Sequence, residues 1–169
     1  REELEFNQST SQGIFFTEKL FLSGIDNSDS IDLNLYCNDN IVGSKTWDNN
    51  FSDLIAMGDD AFEWTDGYCT DNQEVIINIK NSNEMLYIIK GSNLWSANNF
   101  EIVTLSDCQL GDVNFNHSIN ISDIIIIIEH IISENIFDNE HKTILADINQ
   151  DNYINIADIV LIIEQILDF

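Results

Sequence analysis

The chain has 169 residues, 44% of them hydrophobic, and sets 30 acidic side chains against 6 basic ones, a formal charge of −24. That length accommodates one domain of ~100 residues and a small module. Charge of this sign repels nucleic acid and anionic membrane, no apolar run approaches the ~20 residues of a membrane span, and calcium-rich or saline surroundings would screen the self-repulsion.

From the N-terminus, Gly, Asn, Asp and Ser clusters punctuate short segments rich in β-branched and aromatic residues. Strands are predicted near Ile14–Leu22, Ile31–Cys37, Ile41–Trp47, Phe51–Met57, Glu74–Lys80, Met85–Lys90 and Phe100–Leu105. Ile31, Leu33, Leu35 and Cys37 alternate with Asp32, Asn34 and Tyr36, the period of a half-buried strand. Seven short strands with turn signals between them argue a β-sandwich of the immunoglobulin-like kind over residues 1–108. The chain has no proline, which is unusual for loop-rich β structure.

Three cysteines, Cys37, Cys69 and Cys108, leave one disulfide with a third thiol, or none. Cys37–Cys69 is the favoured pair, because both lie near ends of predicted strands. No Cys-x-x-Cys and no neighbouring histidine marks a zinc site. Trp47, Trp64, Trp95, Tyr68 and Tyr87 could form a sugar-stacking platform, although aromatics in a sandwich more often fill its core. Asp59, Asp60, Glu63 and Asp66 could hold a further calcium, but their spacing fits no loop template and a solvated acidic turn explains them. Asn7-Gln8-Ser9 and Asn50-Phe51-Ser52 fit the glycosylation sequon. His117, His130 and His141 all fall in the last third, so the first part has no histidine for a triad or zinc centre. A sandwich of this size rarely supplies a hydrolytic cleft, and a non-enzyme is expected.

The last third repeats one phrase thirty-five residues apart. Asp112, Asn114, Asn116, Ser118, Asn120 and Asp123 return as Asp147, Asn149, Asp151, Tyr153, Asn155 and Asp158. Oxygen donors stand at loop positions 1, 3, 5, 9 and 12, with a backbone carbonyl at 7 (Ser118, Tyr153) and isoleucine at 8. That is the ligand order of a twelve-residue calcium loop. Position 6, normally glycine, is His117 and Asn152. The first loop has two carboxylates and the second three, so the second should bind more tightly. Each copy runs into an apolar segment, Ile124–Ile132 or Ile159–Leu167. Intrinsic preference would make the five-isoleucine run a strand. At 100° per residue, however, Ile124, Ile127, Ile128, Ile131 and Ile132 share one face, as do their counterparts Ile159, Ile162, Ile163, Ile166 and Leu167, so helices are predicted. Ile126 and Leu161 are left on the outer side, and with Ile121 and Ile156 at position 10 they suggest a partner surface.

Loop then helix, repeated, closed by aspartate instead of glutamate, resembles the type I dockerin module over about residues 110–167. Gly111-Asp112-Val113-Asn114 and Ala146-Asp147-Ile148-Asn149 carry the likeness. It implies folding on two Ca²⁺ ions, held by the twelve residues above, and docking to a cohesin domain. Phe6–Thr10, Val42–Trp47, Met57–Asp60 and Thr65–Tyr68 resemble a β-rich module found beside dockerin-like repeats in secreted multidomain bacterial proteins.

The chain is therefore expected to be a secreted, non-catalytic binding or adhesion protein in mature or trimmed form, since no signal peptide is visible at Arg1. Residues 109–169 would form its docking module. Alternatives are a subunit of a self-assembling extracellular filament or surface layer, joined head to tail, and a carbohydrate-binding module with a polysaccharide partner.

Overall fold

The computed structural model describes residues 6–23, 30–82, 84–133 and 137–167. They form two compact units that divide between Leu105 and Ser106. The expected boundary lay three residues later. Ser106 falls in the second unit, and its hydroxyl is bound to His141 there.

The first unit is a mostly β body. Its strands are β1 (Gln12–Phe21), β2 (Ile31–Cys37), β3 (Asn40–Trp47), β4 (Ser52–Met57), β5 (Ile76–Ile79), β6 (Met85–Lys90) and β7 (Phe100–Ser106), all seven at the predicted places. Hydrogen bonding orders them β3-β2-β5-β6-β7-β1-β4 in one sheet. β2 and β3 pair antiparallel across a two-residue turn, Asn38-Asp39, both at positive φ, the geometry that matches strand twist. The two ends of the sheet meet: a β-carbon on Gly43 would lie 2.1 Å from the Ile55 carbonyl oxygen. Only glycine lets β3 approach β4 that closely.

Leu33, Leu35, Val42, Leu54, Ile77 and Val103 fill the interior. Asn34, outward by simple alternation, is buried as well and directs its amide to the Tyr36 hydroxyl. Trp95 is buried between Gly13 and Gly58, where a β-carbon would fall within 2.6 Å and 2.2 Å of its ring. Its indole N–H donates to the Ala56 carbonyl at 3.0 Å. Cys37 at the end of β2 is joined to Cys69 by a disulfide, with Cα atoms 5.3 Å apart.

The second unit has helices α1 (Ile121–Ser133), α2 (Glu140–Ala146) and α3 (Ile156–Leu167). The isoleucine run is helical despite its strand propensity, because the carboxylate and amide groups at its start cap the helix (below). α2 has no counterpart in the sequence reading. Its signal was Asn139, whose side chain accepts the N–H groups of His141 and Lys142. The core joins Val113, Ile124, Ile127, Ala146 and Ile162, with Ile119, Ile148, Ile154 and Ile159 against it. Loop positions 2 and 8 of both repeats thus feed one apolar centre.

The helix phase differs from expectation. Ile126 packs against this core instead of lying on the outer side, and Leu161 is half-buried. The residues left outside are Ile121, Ile125, Ile128 and Ile132 on α1, and Ile156, Val160, Ile163, Ile166 and Leu167 on α3, between 39% and 74% exposed. Apolar residues surround most of each helix, so periodicity alone could not assign the buried side. Among the described residues, no helix is long and apolar enough to cross a membrane.

Candidate calcium and docking site

Each repeat begins with a carboxylate that collects backbone N–H groups from its own loop. Asp112 accepts from Asn116 at 3.1 Å and from His117 at 2.8 Å. Asp147 accepts from Asp151 and Asn152 at the same two distances. The closing aspartates reach back across the loop. Asp123 accepts from Val113, Asn114 and Asn120 at 3.0, 3.1 and 3.0 Å. Asp158 accepts from Ile148, Asn149 and Asn155 at 2.9, 3.3 and 2.9 Å. The two loops are therefore copies in bonding as well as in letters.

The amides at positions 3 and 9 complete the pattern. Asn114 and Asn149 accept the N–H of residues 116 and 151, both at 3.0 Å. Asn120 and Asn155 accept the N–H of Ser122 and Ala157 at 2.9 and 2.8 Å, which starts α1 and α3. Their amide nitrogens donate to the position-7 carbonyls of Ser118 and Tyr153. Positive φ occurs at position 6 (His117, 60°; Asn152, 68°), as a glycine-preferring site requires. It also occurs at position 4 (Phe115, 61°; Gln150, 57°), which the sequence reading missed.

A divalent cation suits this arrangement. Asp112, Asp123 and Asp158 are 1%, 0% and 0% exposed, and a buried carboxylate is costly without a counter-charge. Every donor in the two loops is an oxygen, the ligand type of a hard ion such as Ca²⁺.

Behind the first loop, the Phe115 ring lies 4.8 Å from that of His141, with Lys142 Nζ 5.6 Å from the Phe115 ring centre. Burial lowers the His141 pKa from 6.5 to about 4, against the opposing pull of Asp107 and Asp112. The Ser106 hydroxyl accepts the Cys108 N–H at 2.8 Å and lies 2.7 Å from His141 Nε2, so it links the start of the module to α2.

Cys108 is not without a histidine neighbour, contrary to the sequence reading. His117 is nine residues on, and its Nδ1 lies 3.9 Å from Cys108 Sγ because the loop doubles back at position 6.

The candidate sugar platform is dispersed. Trp47, Trp95 and Tyr68 are core residues, Tyr87 is half-buried, and Trp64 stands exposed, stacked on Phe62 at 4.7 Å. The acidic turn is a hydrogen-bonded structure. Asp59 accepts the N–H of Ala61, while Asp60 accepts from the Thr10 amide and hydroxyl and from the Thr65 hydroxyl. Those bonds, the Thr10 amide foremost, hold the Asp60 carboxyl below the usual carboxylate range. Asn7 of the first sequon donates its amide to the Trp64 carbonyl.

Two linked loops, each turned by one aspartate and closed by another onto a helix, define a paired loop-helix module with the donor set of a calcium-binding domain. Residues 110–167 match the family model of the dockerin type I domain, and this part of the chain is a type I dockerin module. Such modules bind calcium and dock onto cohesin domains. No curated protein and no solved structure matches the chain.

Proposed function

We propose that the chain is an extracellular, non-catalytic protein whose dockerin module attaches its β body to a cohesin-like domain. Asp112, Asn114, Asn116, Ser118, Asn120 and Asp123 would hold one Ca²⁺, and Asp147, Asn149, Asp151, Tyr153, Asn155 and Asp158 a second. The ion supplies positive charge among crowded oxygens. The chain's own aspartates then clamp each loop to the helix that follows it, so that folding and metal binding are coupled.

The observation that carries the reading is the match between α1 and α3. Ile121, Ile125, Ile128 and Ile132 are exposed, and so are Ile156, Val160, Ile163 and Leu167, each thirty-five residues on. Steps of four, three and four residues make one stripe along a helix. Two matching stripes, with Ile166 exposed besides on α3, are more apolar surface than an unpartnered protein normally leaves in water. The Cys37–Cys69 disulfide agrees with an oxidising, extracellular setting. The β body we read as a sandwich-type carrier, in keeping with its likeness to β-rich modules of secreted proteins.

Calorimetric titration of the whole chain with a type I cohesin, with calcium and then with chelator, tests this. Binding should appear only with calcium; equal binding in chelator would overturn it.

A self-assembling subunit is the second reading. In the β body, Phe16 stacks on Phe51 at 5.4 Å and meets Phe100 edge-on at 6.0 Å, with Phe51 and Phe100 exposed. That aromatic patch is a place where another subunit's stripe could settle. Light scattering that rises on adding calcium to the chain alone would favour this reading over docking.

A further inference from the structure

We propose that Asp107, Cys108 and His117 form a third metal site, distinct from the two sets of calcium ligands and selective for a borderline-soft divalent ion, with Zn²⁺ the best fit. One ligand atom from each of the three lies within 4.8 Å of the other two, and Cys108 Sγ is 3.9 Å from His117 Nδ1. Tetrahedral zinc, with bonds of ~2.0–2.3 Å, holds sulfur and nitrogen ligands roughly 3.5 Å apart. Sulfur and imidazole therefore need to close by only a few tenths of an ångström, while the Asp107 oxygen, within 4.8 Å of both, has further to move. His117, exposed at the tip of its loop, can supply the first of these movements.

The donor set discriminates between ions. Calcium takes oxygen and has no use for a thiolate or an imidazole, whereas both are preferred by zinc. None of the three belongs to the oxygen ligands of either calcium loop. Cys37 and Cys69 are joined to each other, so Cys108 is the cysteine outside the disulfide. Three protein ligands leave the fourth position of a tetrahedral ion for water.

The site also accounts for an oddity of the first loop. Position 6 has φ of 60° at His117, a conformation for which the second loop uses Asn152. Histidine is a poorer choice for the backbone there, but it alone of the two can coordinate a metal beside Cys108. A bound ion would tie the segment entering the module to the tip of the first loop. The same residue's N–H is held by Asp112 at 2.8 Å, so an ion on His117 would steady the first calcium loop, and calcium would steady the zinc site in return.

The test uses the whole chain, reduced at Cys108 and saturated with calcium, titrated with Co²⁺ as a spectroscopic probe. A thiolate-to-cobalt charge-transfer band with tetrahedral d–d bands should grow to one ion per chain and vanish on adding Zn²⁺. The band should be lost in Cys108→Ser and weakened at least about tenfold in His117→Asn, with calcium-induced helicity checking that each variant folds. X-ray absorption of the zinc-loaded native chain should show a single sulfur neighbour, a readout that needs no variant. Absence of the cobalt band in the native chain, its survival in Cys108→Ser, or a sulfur-free zinc shell would each overturn the proposal.

Discussion

The Asp123 carboxylate accepts the backbone N–H of Val113, ten residues upstream, at 3.0 Å, and Asp158 holds Ile148 in the same way at 2.9 Å. Each bond ties the first turn of a helix to the beginning of its loop. Asp123→Ala should therefore abolish calcium binding at the first loop and unwind α1. Charged hydrogen bonds of this kind are worth about 1.5–3 kcal/mol each, and three are lost at once. Calcium-dependent circular dichroism measures it; full helicity in the variant would show that the clamp is dispensable.

The two loops should fill in order. Asp151 gives the second loop three carboxylates where Asn116 leaves the first with two. Terbium luminescence or calorimetry should resolve a tighter and a weaker site, and Asp151→Asn should bring the two together. An unchanged tight site in that variant would mean that loop charge does not set the order.

Glutamate placed within either exposed stripe should cost little stability, because Ile125 and Val160 do not line the core. Ile125→Glu alone should leave an intact stripe on α3, and Val160→Glu alone one on α1. The double variant should lose cohesin binding by a hundredfold or more, about 2.8 kcal/mol at 1.4 kcal/mol per decade. Undiminished binding by the double variant would remove the stripes from the interface.

Acid should loosen the C-terminal unit through His141. Its folded-state pKa is lowered from 6.5 to about 4, so between those values the unfolded chain takes up a proton that the folded one refuses. Stability is then complete above pH 6.5 and declines as the pH falls towards 4. A calcium ion in the first loop acts in the same direction. Melting temperatures measured in saturating calcium at pH 7 and 5 should differ, and His141→Phe should flatten the difference.

Gly43→Ala should destabilise the β body. The added carbon would meet the Ile55 carbonyl at 2.1 Å, and backbone cannot swing aside as a side chain can. Overpacking of this kind costs roughly 1–3 kcal/mol, with ~4–8 °C of melting temperature for each kcal/mol. A variant that melts with the native chain would show that β3 and β4 do not depend on this contact.

By itself the sequence determined what is local or repeated. Short β-branched and aromatic segments between turn residues marked the seven strands, and two copies of one oxygen-spaced phrase marked the loops and the dockerin family, because backbone propensity and ligand order are written in neighbouring residues. Only the tertiary structure decided what depends on residues far apart. It showed which side of an almost wholly apolar helix faces inward, turning Ile126 towards the core and leaving Ile125 and Val160 outside. It returned β4 to β3 through Gly43, and it brought His117 to Cys108 by a left-handed turn that no spacing rule records. Periodicity cannot choose between faces of equal hydrophobicity; packing can, because only one of them finds Val113, Ala146 and Ile162 opposite.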